Sequence, residues 1–94
     1  ELENCECEGY PELDWIIDEK TILRPDIAIY CEEIEEYAKI TPKLVIEIIS
    51  PSTALKDEDI KFKIYEREKV EYYILVYPDF KKVRIFKLKN GKYD

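Results

Sequence analysis

A mixed-sheet α/β fold is predicted by three observations. Residues 43–49 (KLVIEII) and 72–77 (YYILVY) are nearly continuous in apolar side chains, as in strands covered on both faces. Residues 54–69, between them, read as a helix with no glycine or proline inside it. A strand, a helix and a second strand form a βαβ crossover, which joins parallel neighbours, while hairpin-like strands before and after it make the sheet mixed.

The elements follow in order. Residues 1–12 (ELENCECEGYPE) are acidic and aperiodic and read as a frayed lead-in. Residues 13–17 form a short apolar run, and the Asp18-Glu19-Lys20 turn leads from it to Thr21–Leu23. Residues 26–31 (DIAIYC) are β-branched and aromatic enough to be a strand. Residues 32–39 are too polar for core and read as a loop or solvated helical turn. Pro51 ends the 43–49 strand, and Ser50, Ser52 and Thr53 supply helix-capping hydroxyls. Residues 83–88 (VRIFKL) alternate as a half-exposed strand, and Asn90-Gly91 is a hairpin-turn signal whose partner strand is expected to be cut short.

The 94 residues make one domain, 1–94, without repeats or a Ser/Gly linker. With 46% hydrophobic and 39% charged residues the chain is neither a disordered tail nor a membrane protein, and no apolar run approaches a spanning length. Its net charge of −7 argues against a coat protein that neutralises phosphates non-specifically. The charge is uneven: residues 1–50 carry −10 and residues 51–94 carry +3. Lys81, Lys82, Arg84, Lys87, Lys89 and Lys92 could offer one basic rim to an anionic partner. Cys5, Cys7 and Cys31 make an odd set without histidine, and read as unpaired thiols in a reducing cytoplasm. The absence of Met and Gln beside abundant Lys, Glu and Ile fits a thermophile or an AT-rich genome. A chain that starts at Glu1 without methionine is expected to be a fragment.

Three polar features stand where packing alone would not put them. Glu47 interrupts an apolar strand, and an unpaired carboxylate there is costly, so it calls for a metal, a cation or a raised pKa, unless it points to solvent. On the helix, Asp57 and Lys61 share an apolar arc with Ile60 and Ile64, and four residues of separation lets them pair. They form a plain structural ion pair, or they aim an ammonium at the sheet that carries Glu47. Arg24-Pro25-Asp26 leads into a strand, with Pro25 fixing the approach of Asp26. Two carboxylates on neighbouring strands with a lysine above them suit metal-assisted phosphodiester hydrolysis.

The strings RPDIAIYCE, PKLVIEIISPST, D-x-x-x-K-x-x-x-Y (Asp57, Lys61, Tyr65) and VEYYILVYP, in that order, resemble a large bacterial family of restriction-endonuclease-like proteins in the PD-(D/E)XK nuclease superfamily. The resemblance runs from about residue 22 to residue 88. It implies a restriction-endonuclease-like αβββαβ core with a mixed β-sheet, here truncated at both ends, and a Mg²⁺-dependent site, with Mn²⁺ as a substitute. Asp26 matches the aspartate of the PD motif and Glu47 the strand carboxylate. The lysine that usually stands two residues later is replaced by Ile49, and Lys61 is the candidate for a lysine moved onto the helix. The family's usual glycine before Val70 is Lys69, and its usual aspartate before the last core proline is Tyr77.

The leading expectation is a Mg²⁺-dependent nuclease acting on DNA, with RNA also open as substrate. Asp26, Glu47 and the Ile48 carbonyl would hold the metal, Lys61 would activate or orient water, and Asp57 would orient Lys61. Tyr65 and Tyr73 read as core packing. The alternative is a catalytically inactive nuclease-fold module that dimerises or binds a protein through its sheet edges. A third reading, nucleic-acid binding without chemistry, needs residues 81–92 to form one basic patch. A soluble cytoplasmic protein and a homodimer through bare sheet edges complete the expectations.

Overall fold

The computed structural model describes residues 6–50 and 55–94, with the side chains of 55–58 left aside. Cys5, the strand-ending Pro51 and the expected capping residues Ser52 and Thr53 lie outside the described residues. Among the described residues, eight strands and one α-helix follow one another as β1 (Glu8–Pro11), β2 (Trp15–Asp18), β3 (Thr21–Leu23), β4 (Ile27–Tyr30), β5 (Leu44–Ile48), α1 (Leu55–Arg67), β6 (Tyr72–Tyr77), β7 (Lys82–Lys89) and β8 (Lys92–Tyr93), with a short 3-10 turn, Pro78–Phe80, between β6 and β7. Six strands form one sheet in the order β1-β4-β5-β6-β7-β8, and β2 and β3 form a separate hairpin. Only β5 and β6 run parallel, joined through α1, while the other pairs in the large sheet are antiparallel. The expected βαβ crossover and mixed sheet are both present.

Alternation sorts the strands into two faces. Ala28 and Tyr30 of β4, Val45 and Glu47 of β5, and Tyr73 and Leu75 of β6 are buried on the face under α1. Trp15 from the hairpin and Tyr65 from α1 close this core, with their rings stacked 6.1 Å apart. Ala38, in the stretch expected to be solvated loop, is also buried: its N–H donates to the Asp14 carbonyl, and its carbonyl accepts from Ile16 N–H.

The opposite face departs from the sequence reading, which expected β5 and β6 to be covered on both sides. Ile27, Ile46, Ile74 and Ile85 stand in register as one row across β4 to β7. Ile48, Val83 and Ile85 on this face are each more than half exposed. The buried core cluster and the hydrophobic side chains packed against it contain none of these residues.

Two further departures arise at β1. The acidic lead-in, expected to fray, is partly an edge strand, with Glu8 opposite Tyr30 and Pro11 opposite Ile27. An edge tolerates Pro11 because its outer side needs no ladder donor. That register sets Cys7 across from Cys31, and the two are joined by a disulfide with Cα atoms 3.8 Å apart. The expectation of unpaired thiols is therefore corrected for these two, and the argument it gave for a reducing compartment goes with it. The pairing was hidden in the sequence because it depends on a strand that composition did not announce.

α1 is rotated from its expected phase. Ile60, taken as its apolar anchor, is half exposed, whereas Tyr65 is fully buried and Lys61 half-buried. A helical wheel fixes which residues share an arc but not which part of the arc meets the sheet. The helix ends with Lys69 at φ +66°. Lys69 N–H donates to the Glu66 carbonyl and Val70 N–H to the Tyr65 carbonyl, the paired bonds of a left-handed helix stop. That explains the departure at Lys69: the position needs a positive φ, which glycine adopts without the Cβ penalty. Lys69→Gly is expected to stabilise the domain by about 0.5–1 kcal/mol, read as a higher urea midpoint at unchanged slope. An unchanged or lower midpoint would refute the left-handed assignment.

Candidate active site

The strand register brings the two expected carboxylates together. Ile27 pairs with Ile46 in antiparallel β4 and β5, so Asp26, one residue before, stands level with Glu47, one residue after. Both follow the alternation of Ala28 and Val45 and lie on the α1 face. Pro25 is fully buried beside Asp26 and fixes the approach to β4. Asp26 Oδ2 accepts a 2.7 Å hydrogen bond from the Ile48 N–H, which ties the aspartate to the strand carrying Glu47. A strand residue sends its N–H and C=O to the same side, so the Ile48 carbonyl is also directed toward β4. The Ile48 side chain points to the opposite, exposed face.

Glu47 is 3% exposed, the one buried charged side chain among the described residues. Its Oε2 accepts a 2.6 Å hydrogen bond from the Tyr65 hydroxyl. Lys61 Nζ lies 3.7 Å from the same oxygen. Burial pushes the Glu47 carboxyl above the usual carboxylate range, and the neighbouring Asp26 charge adds to the push. The Tyr65 hydroxyl, the Lys61 ammonium and the Asp26 backbone N–H oppose it. Burial, together with the Glu47 charge, raises the Tyr65 phenol far above its ordinary value, so it remains a donor. Ile49, where the family's usual lysine would stand, packs against the core. The ammonium beside Glu47 comes from α1 instead. Asp57 lies in the first turns of α1, and its side chain falls outside the described residues.

Tyr65 is the contact that sequence reasoning missed. A tyrosine on the apolar arc of a helix reads as packing, and nothing along the chain reveals which acceptor its hydroxyl meets. Among the described residues no group of three or more His, Cys, Asp and Glu side chains converges. What the site offers is two carboxylates and backbone oxygen, the donor chemistry of Mg²⁺ or Mn²⁺, which take one or two carboxylates and keep several waters. A second cation would also offset the crowding of the two acids, so these residues fit such an ion.

Two other features, an acidic concavity and the basic residues of β7, lie apart from this pair. A concavity of about 780 Å³ surrounds Cys7 and Cys31 and is lined by Glu6, Glu8, Glu32 and Glu33. It lies at the other end of β4 from Asp26, and four carboxylates repel a phosphate backbone. The basic residues of β7 do not form one patch. Alternation puts Lys82 and Arg84 on one face and Lys87 and Lys89 on the other. Arg84 stacks over Phe86, Lys82 over Tyr77 and Lys87 over Tyr72, while Lys89 pairs with Asp94.

A family model described as "Uma2: Putative restriction endonuclease" matches residues 3–94. The chain belongs to the Uma2 family. The fold agrees with that membership: the crystal structure of a "putative nuclease belonging to DUF820" from Anabaena variabilis ATCC 29413 superposes with a TM-score of 0.76. The identity is 18%, over 94% of this chain and 53% of the other, so the Uma2 chain described here spans about half the length of that protein. No curated protein matches it. The restriction-endonuclease-like fold is therefore shown. Among the described residues, no helix is long and apolar enough to cross a membrane.

Proposed function

We propose that this Uma2 domain is a Mg²⁺-dependent nuclease that hydrolyses phosphodiester bonds of DNA. The observation that carries this reading is the meeting of Asp26 and Glu47 on adjacent strands, with the Lys61 ammonium 3.7 Å from Glu47. Asp26, Glu47 and the Ile48 carbonyl would hold the metal. The chemistry such an ion would supply there is polarisation of the phosphate and a lowered pKa for bound water. Lys61 steers the attacking water and offsets charge that develops on the phosphate. Asp57, four residues before Lys61 on the same helix, orients the ammonium. The −7 net charge makes non-specific DNA adhesion weak, so substrate capture depends on the site itself.

The test is nicking of supercoiled plasmid with Mg²⁺ or Mn²⁺, against an RNA control, by wild type, Glu47→Ala and Lys61→Ala. Cleavage that chelation stops and both substitutions abolish is the expected result. Loss with Glu47→Ala alone would remove Lys61 from the chemistry. One observation favours a second reading, a catalytically silent module: the apolar sheet face opposite α1 is uncovered among the described residues and suits association. No metal-dependent cleavage of either nucleic acid would leave that reading in its place.

A further inference from the structure

Tyr65 is completely buried, and its ring is held from two sides. Trp15 lies parallel to it at 6.1 Å, and Tyr73 meets it at 5.0 Å and 64°. A phenylalanine would fill the same slot between those rings, so packing alone does not call for the hydroxyl. A buried hydroxyl is costly without a partner, and this one is directed at the Glu47 carboxylate. Tyr65 and Lys61 converge on one oxygen, Oε2. Both come from α1, one helical turn apart, so a single rigid element grips one side of the carboxylate.

We infer that Tyr65 is a positioning residue: its hydroxyl fixes the rotation of the Glu47 carboxylate so that Oε1 faces the cation shared with Asp26. This rests on the metal site proposed above. The phenol touches neither metal nor substrate. It acts through Glu47, as outer-sphere partners of metal-ligating carboxylates do. Without it, the carboxylate keeps the Lys61 ammonium and the Asp26 backbone N–H as neighbours and can turn between orientations that serve them and the cation unequally. Metal affinity then falls although both carboxylates remain.

The experiment uses the full chain and Mn²⁺ alone as the probe, with binding measured by calorimetry and by electron paramagnetic resonance. Tyr65→Phe is expected to raise the Mn²⁺ Kd by about 10- to 100-fold, the usual consequence of losing such a partner, with the near-ultraviolet circular dichroism retained. Tyr73→Phe, the same change on the adjacent buried ring, leaves the Kd at the wild-type value. Equal Kd values for wild type and Tyr65→Phe would overturn the inference while leaving the metal site standing. Absence of Mn²⁺ binding by the wild type would remove the metal site itself, and the inference with it. If Tyr65→Phe fails to fold, the wild type decides. The Tyr65 hydroxyl proton, shielded and hydrogen-bonded, should give a slowly exchanging resonance that shifts in step with Mg²⁺ saturation. A resonance unmoved at saturating Mg²⁺ would overturn the inference.

Discussion

Glu47→Gln should abolish metal-dependent cleavage, by about a thousandfold or more, while leaving the domain about as stable as wild type. The two halves of this expectation have different physical origins. Glutamine keeps the volume of the side chain and retains an oxygen that can accept from Tyr65, so the 2.6 Å hydrogen bond has a replacement. It removes a charge whose burial already pushes the carboxyl up, and so lifts a desolvation cost. Lys61 loses one charged neighbour, but its side chain is 26% exposed and the ammonium can reach water. The stability change should therefore stay within about 1 kcal/mol, because a hydrated ammonium avoids the penalty of a stranded buried charge. Activity has no such compensation, since a neutral amide is a poor ligand for a hard divalent cation. Urea unfolding and plasmid nicking on the same preparation separate the two. Retained cleavage within tenfold of wild type, or a loss of stability beyond about 3 kcal/mol, would make Glu47 a structural residue.

Trp15→Ala should have the largest effect on stability, about 3–5 kcal/mol. Trp15 is 1% exposed, stacks on Tyr65 and bridges to Ala38, so it joins the hairpin, the 31–42 loop and α1 to one core. A domain of this length has a total stability on the order of 5–15 kcal/mol, so the change takes a large share of it. Trp15 is the only tryptophan, so unfolding must be followed by far-ultraviolet circular dichroism rather than emission. A loss below about 1 kcal/mol would mean that the hairpin is an appendage and that the β-sheet and α1 suffice.

Much of this arrangement was legible in the sequence, and particular residues show why. β4, β5, β6 and α1 were found because apolar runs and helical periodicity are local signals. Glu47 was legible because a carboxylate amid KLVIEII conflicts with its surroundings, and Lys61 because four residues separate it from Asp57. β1 was not, because Glu8, Gly9 and Pro11 have little strand propensity and become a strand only by pairing with β4. The disulfide inherits that blindness. The phase of α1 was misread because Ile60 is apolar but stays half exposed. Tyr65 was placed correctly in the core, yet the direction of its hydroxyl is a fact about another strand eighteen residues away.

The isoleucine row across β4 to β7 changes what folding means for this domain. A partner that occupies that face in the native state has nothing comparable to occupy in the unfolded chain. By mass action, its binding free energy adds to the free energy of folding, and the addition grows with the logarithm of its concentration. The melting temperature is then a property of the domain together with its surroundings, and folding and association become one linked equilibrium.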